Sequence, residues 1–251
     1  MAAMQTRLIA HRCGRAYGPD CSARALAAAL AGRPLAGVEG DVCITRDGAL
    51  VCVHDTYLPL ATTVTGWAHE RSAAEVLAGR LLDGFGRATG ERPLLVEELL
   101  DLVPPGVMVQ LDVKAHADER LARRTVSALA ALLARRADGG RVEVLSFHGA
   151  AVEQAIAHGL AARLVIWADY APAVLARWVA DRALRGVCIE HFLLDRPIVA
   201  ALRDAGLSVT TGTVNDAVIA ERVLAHAPDA ITSDRPHELA VELAARRRPA
   251  A

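Results

Sequence analysis

The sequence predicts an α/β protein, a (β/α)8 barrel with an insertion after its second strand. Short apolar runs alternate with helix-length segments from residue 7 to residue 246, and eight of those runs read as strands. Repeated βα units build a parallel sheet, and eight of them close into a barrel. The alternative, a doubly wound open sheet, carries a Gly-rich phosphate turn after its first strand. Here that turn reads His11-Arg12-Cys13-Gly14, which is not GxGxxG. The length of 251 residues fits one such domain. Residues 1–251 are therefore expected to form a single barrel domain, with 56–106 as the insertion.

Taken in order, Arg7 to Arg12 is an apolar run ending in polar residues, and Ser22 can cap a helix reaching about Leu30. Gly37 to Thr45 is the second strand, a turn falls at Arg46-Asp47-Gly48, and Ala49 to His54 is an extra strand. Residues 56–106 are irregular, broken by short helices at Ser72–Ala78 and Val96–Leu102. The alternation then becomes regular. Strands at Val107–Lys114, Arg141–Phe147, Arg163–Ala168, Gly186–His191, Leu207–Val214 and Ala230–Asp234 are each followed by a helix. Those helices are expected at Asp118–Arg136, Ala150–His158, Ala171–Arg182, Asp195–Ala205, Asp216–His226 and Pro236–Arg246.

Composition narrows the function. Hydrophobic residues make up 53% of the chain but aromatic ones only 4%, so Ala, Leu, Val and Ile must build the core. With a formal charge of −1 and no dominant basic run apart from Arg246 to Arg248, nucleic acid is not an expected partner. The cysteines at 13, 21, 43, 52 and 188 are odd in number and lack CxxC spacing. They read as reduced thiols, mostly core fillers. Met1 to Arg7 is too short and polar for a signal peptide, and no run approaches the roughly 20 apolar residues of a spanning helix. A cytoplasmic protein without a transmembrane segment is expected, its oligomeric state unassigned.

The residues that carry chemistry end the strands. Glu39 and Asp41 are two apart on one strand and so share a face; Asp112 and Lys114 repeat the arrangement on the next barrel strand. In a barrel these ends form the active-site mouth. Three carboxylates on neighbouring strands suit one hard divalent ion, Mg²⁺ or Ca²⁺, with Mn²⁺ also admissible, in preference to zinc. Arg12 and Lys114 add the positive charge that a phosphate with growing negative charge needs. His11 and His54 titrate near working pH and are the candidate general acid and base. Among the other histidines, His148 and His191 are candidates for the rim. No cysteine has an identified histidine base, so thiol catalysis is not expected.

Together, His11-Arg12, Glu39-x-Asp41, Thr45-x-Asp47-Gly48, His54-Asp55 and Asp112-x-Lys114 resemble the glycerophosphodiester phosphodiesterase family. Thr213-Val214-Asn215 and Ile231-Thr232-Ser233-Asp234-Arg235-Pro236 resemble the last two strands of that family. The resemblance runs from about Leu8 to Leu239. It implies metal-dependent hydrolysis of a small-molecule phosphodiester to a phosphomonoester and an alcohol, within glycerol and lipid metabolism. It further implies Glu39, Asp41 and Asp112 as metal ligands, His11 and His54 as the acid/base pair, and Arg12 and Lys114 as phosphate ligands. A neighbouring hydroxyl of the substrate would attack phosphorus to give a cyclic phosphate that water opens. A related lineage stops at the cyclic product as a phospholipase-D-type lyase, and a non-catalytic phosphate-binding barrel is the alternative outside enzymes. Departures from the family pattern fall at Cys13, Asp20, Cys21, Asp112 and Gly212. Gly212 stands where the family often has Trp, which should open one side of the mouth, with Trp167 as a substitute aromatic wall.

Overall fold

The first apolar run forms β1 (Leu8–Ala10), and regular pairing stops there because His11–Cys13 coil into a 3-10 turn. A computed structural model describes residues 6–246 of the chain. The expectation for the polar N-terminal stretch therefore falls partly outside the described residues at Met1 to Gln5, as does the basic tail beyond Arg246. Helix α1 (Ala23–Leu30) starts where Ser22 accepts a hydrogen bond from the Ala25 N–H, satisfying one of the free amides of a helix start. β2 (Gly37–Ile44) is buried along its whole length and turns back into β3 (Leu50–Cys52), antiparallel to it.

The insertion contains α2 (Ala73–Leu77), held by a capping box between Ser72 and Glu75, then β4 (Leu94–Leu95) and α3 (Val96–Leu102). β4 was not legible in the sequence: its two residues merge with the apolar pattern of the helix that follows. The remaining elements alternate as expected. They are β5 (Met108–Val113), α4 (Glu119–Leu133), β6 (Val142–Ser146), α5 (Gly149–Ala157), β7 (Ala161–Ile166) and α6 (Pro172–Ala180). Then come β8 (Gly186–Glu190), α7 (Arg196–Asp204), β9 (Ser208–Gly212), α8 (Ala217–Leu224), β10 (Ala230–Ser233) and α9 (Pro236–Arg246). β7 begins two residues before the expected Arg163. Asp118, Asp195 and Asp216 cap α4, α7 and α8 through their carboxylates.

The eight parallel strands run in the order β1, β2, β5, β6, β7, β8, β9, β10, and β10 pairs with β1 to close the barrel. β3 and β4 extend β2 outside the barrel as an antiparallel appendage. The main core lies between strands and helices and is aliphatic, as the composition requires. A small second core around Val51, Val53, Leu58, Val76 and Leu81 consolidates the insertion.

The barrel interior is polar below the site. Gln110 alternates to the same face of β5 as Asp112, and its amide nitrogen lies 3.1 Å from the Glu143 carboxylate. Arg163 meets the same carboxylate at 2.7 Å. A buried pair of this kind is costly unless fully hydrogen-bonded. Gly186 makes room for it: a Cβ there would sit 2.8 Å from the Arg163 Nη1.

Candidate active site

Pairing of β2 with β5 places Asp41 directly opposite Asp112, and the two-residue alternation brings Glu39 to the same interior face. Among the described residues, Glu39, Asp41 and Asp112 are the group of three acidic or metal-ligating side chains that could hold one ion. Their ligand oxygens lie within 4.8 Å of one another. All three are buried, at 3%, 1% and 4% exposure. Burial, with Asp41 beside it, raises the Glu39 carboxyl to about 7. Burial likewise raises Asp112 to about 6. Asp41 resists its own burial because Lys114, His54 and Arg12 draw it down to about 2.

The donor set fits a hard divalent cation. The Oδ1 of Asp112 is buried without a hydrogen-bond partner, and an orphaned carboxylate oxygen beside two other acids is costly unless a cation meets it. Two protein cations balance only part of this charge. Lys114 Nζ lies 3.0 Å from Asp41 and 2.5 Å from Asp112. Arg12 Nε approaches Asp41 at 3.7 Å, and that buried nitrogen has no hydrogen-bond partner. Its Nη1 is held by Asp20 at 2.6 Å, which Arg15 also holds at 3.1 Å. The shortened acid at position 20 thus orients the guanidinium.

The turn after β1 is strained for a purpose visible in its hydrogen bonds. Arg12 and Cys13 take φ of 47° and 64°, a left-handed conformation that costs about 1–2 kcal/mol for a non-glycine residue. The turn directs the Arg12 N–H to Glu39 Oε2 at 2.8 Å. Gly14 follows with φ 92°, and a Cβ there would lie 2.8 Å from the Tyr17 ring. Cys21 packs behind the site, its sulfur accepting from the Asp41 N–H at 3.3 Å and lying 3.6 Å from the Asp41 carboxylate.

The two histidines flank the acids. His11 Nδ1 is 2.6 Å from Asp234 Oδ1, and its Nε2 faces Glu39 at 3.9 Å. Asn215 donates to the other Asp234 oxygen at 2.5 Å and accepts from the Asp234 N–H at 2.8 Å, fixing that carboxylate. Burial works against an imidazolium at His11, but the Asp234 hydrogen bond and the Glu39 charge leave its pKa raised. His54 Nδ1 lies 3.2 Å from Asp55. Burial lowers the pKa of His54, and Lys114 and Arg12 reinforce this against the pull of Asp41.

Sequence reasoning gave Asp234 and Asn215 positions at strand ends but no role. The signal was present in barrel closure: Ala10 pairs with Ser233, so the residues that follow them must meet. Around the acids, His11, Leu145, Phe147, Val165, Glu190, Gly212 and Thr232 line a cavity. Gly212 lies in that wall, where a Cβ would come 2.7 Å from the Thr232 Cβ. Trp167 follows β7 but is 59% exposed and not part of the lining; Phe147 supplies the aromatic surface instead. A second cleft joins Arg12, Arg15 and His54 to Leu60 and the Leu82–Gly86 loop of the insertion. His148 lines a third, with His54, Lys114 and His116. His191 sits on the rim against Phe192.

The family model described as the glycerophosphoryl diester phosphodiesterase family matches residues 11–238. A phosphodiesterase from Oleispira antarctica, solved in complex with the product sn-glycerol-3-phosphate, is 24% identical with a TM-score of 0.82, the match covering 94% of this chain and 96% of that one. A glycerophosphodiester phosphodiesterase from Agrobacterium tumefaciens is 22% identical with a TM-score of 0.75, covering 94% and 99%. One from Thermotoga maritima is 16% identical with a TM-score of 0.77, covering 96% and 99%. No curated protein matches the chain.

Proposed function

Because this chain belongs to the glycerophosphoryl diester phosphodiesterase family of phosphoric diester hydrolases, we propose that it performs metal-dependent hydrolysis of a glycerophosphodiester-like small molecule. The products are a phosphomonoester and an alcohol, and the path runs through a cyclic phosphate. The observation that carries this reading is the buried set Glu39, Asp41 and Asp112, with its orphaned carboxylate oxygen, between two histidines. Those three acids would hold one divalent cation, Mg²⁺ or Ca²⁺ with Mn²⁺ as a third option. When bound, such an ion neutralises non-bridging phosphate oxygens and lowers the barrier to attack at phosphorus.

The chain's own groups do the rest. Arg12 offers its free Nε, and Lys114 its ammonium, to the phosphate as negative charge grows there. His54, whose pKa is depressed, takes the proton of the attacking substrate hydroxyl. His11, held as an imidazolium by Asp234, gives its Nε2 proton to the leaving alcohol. The roles then reverse when water opens the cyclic phosphate. Opposed shifts in two neighbouring titratable groups are how one site supplies acid and base together. Gly212 and Phe147 shape the pocket for one substituent, and Trp167, exposed just after β7, offers an aromatic wall to the other. The barrel and its insertion act as one catalytic domain, and the five free cysteines suit a cytoplasmic setting.

Phosphorus NMR of glycerophosphocholine turnover tests the reading. A phosphomonoester that appears with Mg²⁺, Ca²⁺ or Mn²⁺ and not with chelator supports it. Accumulation of a cyclic phosphate as the end product rejects the hydrolase assignment.

A further inference from the structure

The roles of the two histidines sort the two arms of the substrate. His11 gives its proton to the leaving alcohol, so that alcohol must lie in a space that His11 lines. The cavity walled by Leu145, Phe147, Val165 and Gly212 is such a space, and His54 is not among its lining residues. The retained arm, whose hydroxyl gives its proton to His54, belongs to the clefts that His54 lines. The walls of the first cavity then decide which alcohol leaves.

One charged group in those walls has no task in the chemistry. Glu190 ends β8 and lines the cavity together with Cys188, two residues before it, as strand alternation requires. It stands outside the three acids that converge on the ion site. Among the described residues its carboxylate has no salt-bridge or hydrogen-bond partner. In register across the sheet it pairs with Gly212, which has no side chain to cover it. Burial raises the Glu190 pKa, with His191 and His11 pulling the other way. A half-buried carboxylate left unpaired is a cost to the fold, and a cation carried in by a ligand offsets that cost.

The surroundings narrow the kind of cation. Leu145, Phe147 and Val165 give a polyol no hydrogen bonds, but they suit the methylene and methyl groups of an alkylammonium. An aromatic ring is also a favourable neighbour for such a charge, and the Phe147 ring already accommodates Lys114 Nζ 5.5 Å from its centroid. The space is small, about 70 Å³. At ~10–15 Å³ for each water-sized group, it takes a handful of heavy atoms. A two-carbon amino alcohol fits within it, and a sugar ring does not.

We infer that Glu190 is a specificity-determining residue for the leaving alcohol, selecting a small cationic alcohol over a neutral one of the same shape by pairing with its ammonium group. The inference rests on the hydrolase reading above and deepens it. Glu190 moves no proton in this account; the leaving oxygen still takes its proton from His11.

The test uses two diesters of one shape and different charge. One is glycerophosphocholine, and the other is its neutral isostere, in which carbon replaces the quaternary nitrogen. Metal-loaded wild type should favour the choline diester in kcat/KM by about tenfold, the scale of one half-exposed charge pair. Glu190→Gln should bring that ratio close to one, with the loss falling on KM for the choline diester. Glu190→Asp, which keeps the charge, should retain a preference. A wild type that treats the two diesters alike overturns the inference. So does a Glu190→Gln variant that keeps the ratio, including one that loses both activities by the same factor. If neither diester is hydrolysed with metal present, the hydrolase reading itself fails. Calorimetric titration of the same two compounds then decides for the pocket alone: tighter binding of the choline diester that Glu190→Gln abolishes supports the assignment, and equal binding overturns it.

Discussion

Replacing Glu39 with Gln separates the stability of this site from its function. The carboxyl is fully buried, and its rise from 4.5 to about 7 records what ionisation costs the metal-free fold. A shift of that size corresponds to on the order of 3 kcal/mol. Its sign follows from linkage: a carboxyl with a raised folded pKa binds its proton more tightly when folded, so stability is full below about pH 4.5 and is lost as pH rises through about 7. Glutamine never ionises, and its carbonyl can still accept from the Arg12 N–H that now reaches Glu39 Oε2 at 2.8 Å. Chelator-treated Glu39→Gln should therefore be more stable than wild type at about pH 8, by up to ~3 kcal/mol, with the gap closing toward about pH 4.5. Added Mg²⁺, Ca²⁺ or Mn²⁺ should reverse the order, because the ion stabilises only a fold that binds it. Urea denaturation across that pH range, with and without metal, measures both effects. A variant no more stable than wild type at high pH in chelator would refute the view of Glu39 as a carboxylate held at a cost for an ion.

Three further outcomes follow from the same geometry. His11→Gln should lower kcat on glycerophosphocholine by about 10²–10⁴-fold, and much less on a p-nitrophenyl diester, whose leaving group needs no proton. Rescue of His54→Gln by that substrate in its place would reverse the assigned roles. Asp234→Asn removes the 2.6 Å partner of His11 Nδ1; since that contact raises the His11 pKa, the alkaline limb of the kcat/KM profile should move to lower pH. An unmoved limb would detach Asp234 from the acid. Gly212→Ala should cost about 1–3 kcal/mol through overpacking, because the new methyl would lie 2.7 Å from the Thr232 Cβ. Thermal melts that match wild type would mean the wall gives way.

Much of the barrel was legible because its signals are local. Apolar runs, the Ser22 cap, helix starts at Asp118, Asp195 and Asp216, and short turns each act within a few residues. The acids were legible because a strand repeats every two residues, so Glu39 and Asp41 had to converge. What the chain order concealed depends on barrel closure and on side-chain reach. The His11–Asp234–Asn215 relay joins residues from opposite ends of the sequence. Trp167 illustrates the second limit. It has the parity to face the mouth, yet it is 59% exposed and Phe147 from the preceding strand is the aromatic residue in the cavity lining. β4 was lost for a third reason, since two residues carry no period.

On the proposed reading, Glu39, Asp41 and Asp112 hold one divalent ion on which phosphodiester hydrolysis depends. The most direct measurement is isothermal titration of the chelator-stripped protein with Mg²⁺, Ca²⁺ and Mn²⁺, paired with glycerophosphocholine turnover on the same samples. One ion per chain should bind, activity should return in step with occupancy, and Asp112→Asn should weaken both together. Full turnover by the stripped protein, or binding left intact by Asp112→Asn, would contradict the account.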